Sequence, residues 1–599
     1  MTGTRVVLRL APALILLAIM LAGSLPLAVG SSQSIVITTV QDPSIIGVFS
    51  GFDTNRFLEV NPLAVSSGSG LSVVSGYALQ QMEDEEKTYG FLALFPSTSS
   101  SKLKLIYSTY SNQQYTNEHS RDVVVVTRKG ESGGIGDIAA PPSTEVWLLH
   151  VSTVWRYSFN TAFSVVGFDS KGEVICQNGF TLEKLKEGPS TGGFQSGGEA
   201  IVHDGRNAYL IASINNLDSY YAENPVIIAR FDGKCGLSQP SMFRIGSSPD
   251  SRAYVGDAVY SGGYIYAAGV YKSGVQGAPY KMLALKISAE TLGIVDSRIL
   301  IIPGTEDMSL HNARVDAGNG VVAISGFYTG MDNMGKLATI TLNPATMQPV
   351  WASTVEFQGE AGSGVAEGVM IKDGMVLTAG SIFQGNYTSP DASKGFITAH
   401  LTDTGALGAA YTLGFEGAIM FKDMAARGDD IMVAAEWIPG ALDAGLQNTT
   451  ATSNTFDGED ITVIDIPRSK TTSPLKPASD LTGGLNIVDA TDALRTGYSN
   501  MKDHSLYITT LKASLQEEST TIGTTTESQN ETSATTSQQT ASQTTVVVTE
   551  GQESPTETGV DNSEDEGDGI RQYIQGIPLE ILAAIAILLL AIAVIAIKR

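Results

Sequence analysis

From Ser34 to Leu515 the hydrophobic positions come in short runs of about four to six residues, broken by Gly, Asn and Asp. One pattern recurs: a turn residue, small and apolar residues, then usually Gly or Ser. Copies are Gly70-Leu-Ser-Val-Val-Ser-Gly76, Asn207-Ala-Tyr-Leu-Ile-Ala-Ser213, Gly263-Tyr-Ile-Tyr-Ala-Ala-Gly269, Gly320-Val-Val-Ala-Ile-Ser-Gly326, Gly374-Met-Val-Leu-Thr-Ala-Gly380 and Asp430-Ile-Met-Val-Ala-Ala-Glu436, with a degenerate copy at Glu145–Val151. The later copies lie roughly 55 residues apart, a spacing typical of propeller blades. A second strand-like run follows each: Phe91-Leu-Ala-Leu, Phe163-Ser-Val-Val, Val226-Ile-Ile-Ala, Met282-Leu-Ala-Leu, Leu337-Ala-Thr-Ile, Phe396-Ile-Thr-Ala and Ile461-Thr-Val-Ile. Turn residues such as Asp169-Ser-Lys-Gly172, Asp232-Gly233 and Asp403-Thr-Gly405 then reverse the chain. No window carries the period and caps of a long helix.

These features predict an all-β chain built of three- or four-stranded antiparallel units. Such units bury both faces only against neighbours, and radial closure leaves short, protected edges. The count gives a seven-bladed β-propeller over residues 31–515. Ser34–Thr39 and Leu506–Thr510 are expected to pair in a shared closing blade; if they form a blade of their own the count is eight. A linear β-solenoid is the structural alternative. The pattern D-G-x-x-Y-x-A-G … A-x-L … D-x-x-G, best seen at Gly262–Gly269, resembles Kelch-like and quinoprotein-like blades of secreted β-propeller repeat proteins. The resemblance covers the head alone and implies a fold, not an activity.

The two ends predict topology. Arg5 and Arg9, the apolar stretch Leu10–Leu21 and the small-residue exit Ala28-Val29-Gly30 have the order of a secretory signal, giving a signal peptide over 1–30. Residues 577–597 are apolar except for Glu580 and precede Lys598 and Arg599. About twenty helical residues cross a ~30 Å hydrocarbon layer, and terminal basic residues favour the cytoplasmic side. Residues 516–569 are rich in Thr, Ser, Gln and Glu and lack aromatics, which predicts a disordered, O-glycosylated stalk. Asp561, Glu564, Asp565, Glu566 and Asp568 lack calcium-loop spacing and read as a solvated spacer. The layout of signal, β-rich head, stalk and single span is similar to that of archaeal surface proteins. It implies a single-pass cell-membrane protein with an extracellular N-terminal head.

A net charge of -25 and a pI of about 4.6 exclude nucleic acid as a natural partner. Cys176 and Cys235, the two cysteines, follow equivalent turns of consecutive units, so an exported chain would join them as one disulfide between neighbouring blades; two buried thiols are the alternative. Asn386, Asn448 and Asn530 open N-x-[ST] sequons.

Candidate chemistry is sparse. Gly130-Glu-Ser-Gly-Gly134 matches G-x-S-x-G after a strand-like Val123–Val126, but Pro141-Pro142 leaves no room for the helix that a nucleophile elbow needs, so Ser132 reads as loop. Gly134–Ala139 fails as a dinucleotide fingerprint for the same reason. His119, His150, His203, His311, His400 and His504 show no metal-ligand spacing. Trp147, Trp155, Trp351 and Trp437 do not repeat once per blade, which weakens a quinoprotein reading. No catalytic, cofactor-binding or metal-binding residue is assigned, and the cofactor is unknown. The sequence therefore predicts a binding or scaffolding module of the cell envelope without catalysis, its partner an envelope protein or surface glycan. The alternative is an extracytoplasmic hydrolase or oxidoreductase with its site in the axial funnel. Clustered carboxylates or histidines at one mouth of the axis would favour that alternative.

Overall fold

The computed structural model describes residues 31–36, 38–40, 44–49, 59–82, 85–108, 116–128, 143–155, 159–184, 194–216, 224–330, 335–358, 363–386, 389–413, 418–438, 442–443, 450–471, 475–478, 485–495 and 505–512. Contacts divide the chain into two compact units, Met1–Gln516 and Glu517–Arg599, and every described residue lies in the first. The signal, the stalk, the C-terminal apolar segment, the acidic spacer, Ser132, His504, Asn448 and Asn530 lie outside the described residues. Among the described residues no helix is long and apolar enough to cross a membrane.

Apart from two single-turn 3-10 segments, the described regular elements are strands, and they form seven sheets. The first strands of sheets one to seven are Glu59–Gly68, Thr116–Arg128, Phe194–His203, Arg252–Ser261, Ser309–Gly318, Ser363–Lys372 and Ala418–Arg427. Each packs beside the first strand of the next sheet, and that of sheet seven packs beside that of sheet one. The circle is therefore closed, and the architecture is a β-propeller with these strands innermost.

The core confirms the closure independently. Its buried clusters straddle consecutive sheets. Phe163, Phe180, Leu210 and Phe231 join sheets two and three; Met432 and Ala434 of sheet seven pack with Phe91, Phe95 and Leu103 of sheet one. A sheet sandwiched between neighbours buries both faces, so its strands lose the polar–apolar alternation of a one-sided sheet. The recurrent motif is the second strand of each sheet. In Tyr264–Lys272, seven of the nine residues are buried in an unbroken run.

The motif's glycine has a specific cause. The first strand of every sheet carries one extra residue opposite the second strand: Leu63, Arg121, Gly197, Gly256, His311, Glu367 and Lys422. Such a β-bulge bends the strand and re-aims side chains. It also drives a carbonyl against the second strand. A Cβ on Gly269 would lie 1.9 Å from the Tyr254 oxygen, and one on Gly380 would lie 1.8 Å from the Val365 oxygen. The repeated Gly therefore makes room for the repeated bulge.

Carboxylates zip neighbouring innermost strands together. Asp122 accepts from Ile201 N at 2.7 Å, Asp257 from Val315 N at 3.0 Å, Asp316 from Ile371 N at 2.7 Å, and Asp423 from Val65 N at 2.8 Å. The last of these joins sheet seven to sheet one. Asp122, Asp257 and Asp423 each also accept from the N–H of the following residue, so both oxygens are used.

The closing sheet differs from the expectation. Its third strand is Ser505–Lys512 and its fourth is Ser44–Phe49, so both chain ends build sheet seven. Ser31–Val36 instead pairs with Thr450–Asp457 at the rim of sheet five, and Thr38–Val40 runs parallel to Leu407–Leu413 in sheet six. Nor does Thr462–Asp465 belong to the seventh unit: it pairs with Ile294–Ile301 of sheet four.

That strand is part of a strap. Between the second and third strands of sheet seven the chain leaves the sheet and circles the rim. It lays Thr450–Asp457, Thr462–Asp465, Arg468–Lys470, Leu475–Ala478, Leu485–Asp489 and Leu494–Arg495 on the outer edges of sheets five, four, three, two, one and seven in turn. An open sheet edge is a template for unwanted pairing, and the strap covers six of the seven. Cys176 and Cys235 are bonded, with Cα atoms 5.7 Å apart, tying sheet two to the turn after the third strand of sheet three. Closing a loop of that length contributes ~4 kcal/mol in the chain-entropy account.

Candidate active site at the ring axis

The bulges deliver chemistry to the axis. Of the seven extra residues, Arg121, His311, Glu367 and Lys422 are polar. A cavity of about 190 Å3 opens between the innermost strands of sheets one to five, walled in part by Leu63, Arg121, Glu199, Tyr254, His311 and Arg314.

Glu199 is the carboxylate in this cavity. Its side chain is 5 % exposed; Oε2 lies 3.7 Å from Arg121 Nε, and Oε1 has no hydrogen-bond partner. Burial raises its pKa, and the charge of Arg121 offsets this only in part. A carboxyl in this state keeps its proton to higher pH than a free glutamate does.

Arg314 lines the same cavity. Burial works against its charge, but the carboxyl groups of Asp423, Asp257, Glu367 and Asp122 more than offset this. Its Nη1 donates to Gly256 O at 3.4 Å, Nη2 lies 4.0 Å from Glu367, and Nε is buried without a partner. Asn312 Nδ2 donates to the same Glu367 oxygen at 3.0 Å. Lys422 pairs with Glu436 at 3.0 Å. On the same network Tyr77 donates to Glu59 at 3.0 Å and stacks on His119 at 4.4 Å.

The ring aspartates are pushed toward the neutral form by burial: Asp257 to about 6, Asp423 to about 7, and Asp122 well up, with the neighbouring Asp257 carboxyl adding to burial at the last. Ring closure thus gathers Asp122, Asp257, Asp423 and Glu367 around Arg314, with Glu199 beside Arg121.

The residues singled out in the sequence go elsewhere. His150 forms a fully buried relay between sheets one and two: Ser120 Oγ lies 3.3 Å from Nδ1, and Glu118 Oε2 lies 2.8 Å from Nε2. Ser, His and Glu in this order resemble a nucleophilic triad, yet all three are 0 % exposed. Glu118 also accepts from Ser108 and Ser152, each at 2.6 Å, which marks the group as a clamp. His203 tilts against Trp147, and His400 against Trp351, each across consecutive sheets; burial lowers both imidazoles to about 4. Among the described histidines, His311 lines the cavity. Asn386 ends the strand Met375–Asn386. Among the described residues no group of three or more His, Cys, Asp or Glu is arranged to hold a metal ion.

Sequence reasoning passed over Arg121, Glu199 and Arg314. A signal existed: Gly256-Asp257, His311-Asn312 and Lys422-Asp423 repeat a break in the apolar run shortly before the turn that opens the motif, and Arg121-Asp122 carries the same kind of pair farther ahead of its own motif.

No family model matches the chain, and no curated protein matches it. Among solved structures, the chain is similar to the subtype N11 neuraminidase-like protein of A/flat-faced bat/Peru (H18N11), at 9 % identity and TM-score 0.29, covering 70 % of this chain and 97 % of that one. It is similar to the phage phi92 endosialidase at 7 % identity and TM-score 0.32, covering 72 % and 69 %. A Synechocystis apocarotenoid oxygenase mutant gives 10 % identity and TM-score 0.28, covering 60 % and 93 %. Likeness this remote carries no argument about activity. The expectation of a binding or scaffolding module without catalysis is nevertheless corrected. The innermost strands gather clustered carboxylates, the arrangement that favours the enzymatic alternative.

Proposed function

We propose that the chain is a hydrolase built on a seven-bladed β-propeller, with its active site in the axial cavity and Glu199 as its proton donor. The observation that carries this reading is Glu199 itself: a buried carboxyl with a raised pKa and an unpartnered oxygen, in a cavity at the hub of seven bulged strands. A general acid must hold its proton near working pH and release it to a leaving group. Glu199 gives its proton to the departing oxygen. The carboxylate it becomes is held by Arg121 and takes a proton back from the attacking water. Water adds across the broken bond, and Glu199 ends as it began.

The sequence adds an address. The signal at 1–30, the stalk at 516–569 and the span at 577–597 would hold this enzyme outside the cell on a single-pass anchor, with sugars on the stalk and at Asn386, Asn448 and Asn530.

The test is a panel of chromogenic aryl glycosides, esters, phosphates and sulfates offered to the full chain and to Glu199→Gln. The expected result is turnover of one class that Glu199→Gln lowers by about 10²–10⁴-fold with unchanged melting. Activity undiminished in Glu199→Gln, or hydrolysis of none of the panel, overturns the reading.

A further inference from the structure

We propose that the axial cavity seats an oxyanion, the carboxylate, sulfate or phosphate group of its substrate, on the guanidinium groups of Arg121 and Arg314. The inference rests on the reading of this cavity as the active site and gives its substrate class.

Both arginines line the cavity, and each keeps donor capacity unspent. Arg121 Nε and Arg314 Nε are buried and make no hydrogen bond. A buried donor without an acceptor is costly, so two of them on residues that line one cavity leave it incomplete without a ligand or water. Guanidinium groups match the planar or tetrahedral oxygens of carboxylate, sulfate and phosphate.

The carboxylates nearby do not fill this role. The ring aspartates Asp122, Asp257 and Asp423 have their oxygens occupied by backbone N–H groups of the innermost strands. Glu367 is shared with Asn312 and sits 4.0 Å from Arg314. Glu199 lies 3.7 Å from Arg121 without a hydrogen bond and, among the described residues, is the one carboxyl that lines the cavity. Burial biases it toward the neutral form, in which it donates to an anion instead of repelling it. The volume, about 190 Å3, is several times the ~30 Å3 share of one water, enough for an anionic group with part of the molecule that bears it.

A second consequence follows from electrostatics alone. An anion placed beside Glu199 disfavours its ionised form further. Binding therefore draws a proton onto Glu199 at any pH where that group is partly ionised.

The experiment is calorimetric titration of the full chain with sodium sulfate, sodium phosphate and sodium acetate, using sodium chloride at equal ionic strength as the reference. Buffers of differing ionisation enthalpy count the protons taken up. Wild type should bind at least one of the three saturably, and Arg121→Gln, at a site 37 % exposed, should weaken that binding tenfold or more while melting normally. Arg121→Lys should recover part of it. Saturable binding that is equal in wild type and Arg121→Gln, or no binding beyond the chloride reference, overturns the proposal. Glu199→Gln separates the two readings: it should still bind the anion but without proton uptake. If uptake persists in that variant, the anion site stands and the assignment of Glu199 as proton carrier falls.

Discussion

Replacing Glu118 by alanine is expected to destabilise the protein by about 3–5 kcal/mol, because each buried donor left without its acceptor costs about 1–3 kcal/mol. The carboxylate is 0 % exposed and accepts from Ser108, Ser152 and His150 at 2.6–2.8 Å, while its own N–H donates to Thr88. Ser108 and Thr88 belong to sheet one; Glu118, His150 and Ser152 belong to sheet two. The clamp therefore closes one of the seven seams. Truncation strands three buried donors at once. Burial alone would raise the Glu118 pKa, but the hydrogen bonds from His150, Ser108 and Ser152 and the His150 charge lower it overall. Ser120→Ala removes only the 3.3 Å contact to His150 and should cost about 1–3 kcal/mol, less than Glu118→Ala, with turnover intact. Thermal unfolding of the two variants checks the ranking. Loss of activity in a well-folded Ser120→Ala protein would show that the relay is catalytic after all.

The contribution of the ring aspartates to stability should fall as pH rises from about 4 to about 8. Asp257 and Asp423 move from 3.8 in free chains to about 6 and about 7 in the fold, because burial penalises their charge. Between those limits the folded state binds more protons than the unfolded state. Linkage then makes folding less favourable with each step upward in pH. Their stabilisation is complete below about pH 4 and is lost as pH climbs through 6 and 7. At ~1.4 kcal/mol for each tenfold change in proton affinity, the two together are worth several kcal/mol in order of magnitude. Asp122 and Asp316 move in the same direction. Glu118 and Asp204 are displaced downward, so their contribution is lost on the acid side. His203 and His400, which burial lowers to about 4, work the other way between about pH 4 and 6.5, where the unfolded state binds their protons and the fold does not. The aspartate effect is therefore read as a difference: wild type should lose stability relative to the double variant Asp257→Asn, Asp423→Asn as pH rises from about 5 to about 8, since asparagine does not titrate. A difference that stays constant or grows in favour of wild type toward pH 8 would contradict the assignment.

The fold was legible where both faces of a strand are buried. Gly263–Gly269 and Gly374–Gly380 stood out because a second strand wedged between two neighbouring sheets must be small or apolar throughout. The disulfide was legible because Cys176 and Cys235 follow matching turns. The bulges were not legible. An extra residue such as Arg121 or Glu367 has meaning only against a partner strand, and one residue of slip looks like ordinary variation in a run. The strap was hidden for another reason. Arg468–Lys470 and Leu475–Ala478 are three and four residues long, and they pair with strands more than 200 residues away, so no local periodicity announces them. Their neighbourhood read as a loop and a stray seventh-unit strand. The axial site was missed because its members come from different sheets: Glu199 from the third, Arg121 from the second and Arg314 from the fifth. Only ring closure brings them together.

The most direct test of the account is the carboxyl titration of Glu199 itself, followed by 13C NMR in glutamate-labelled full-length protein and assigned by its absence in Glu199→Gln. The account predicts a midpoint clearly above the ordinary 4.5 of a glutamate, moving higher when sulfate is added. A midpoint at or below 4.5, indifferent to sulfate, would contradict it.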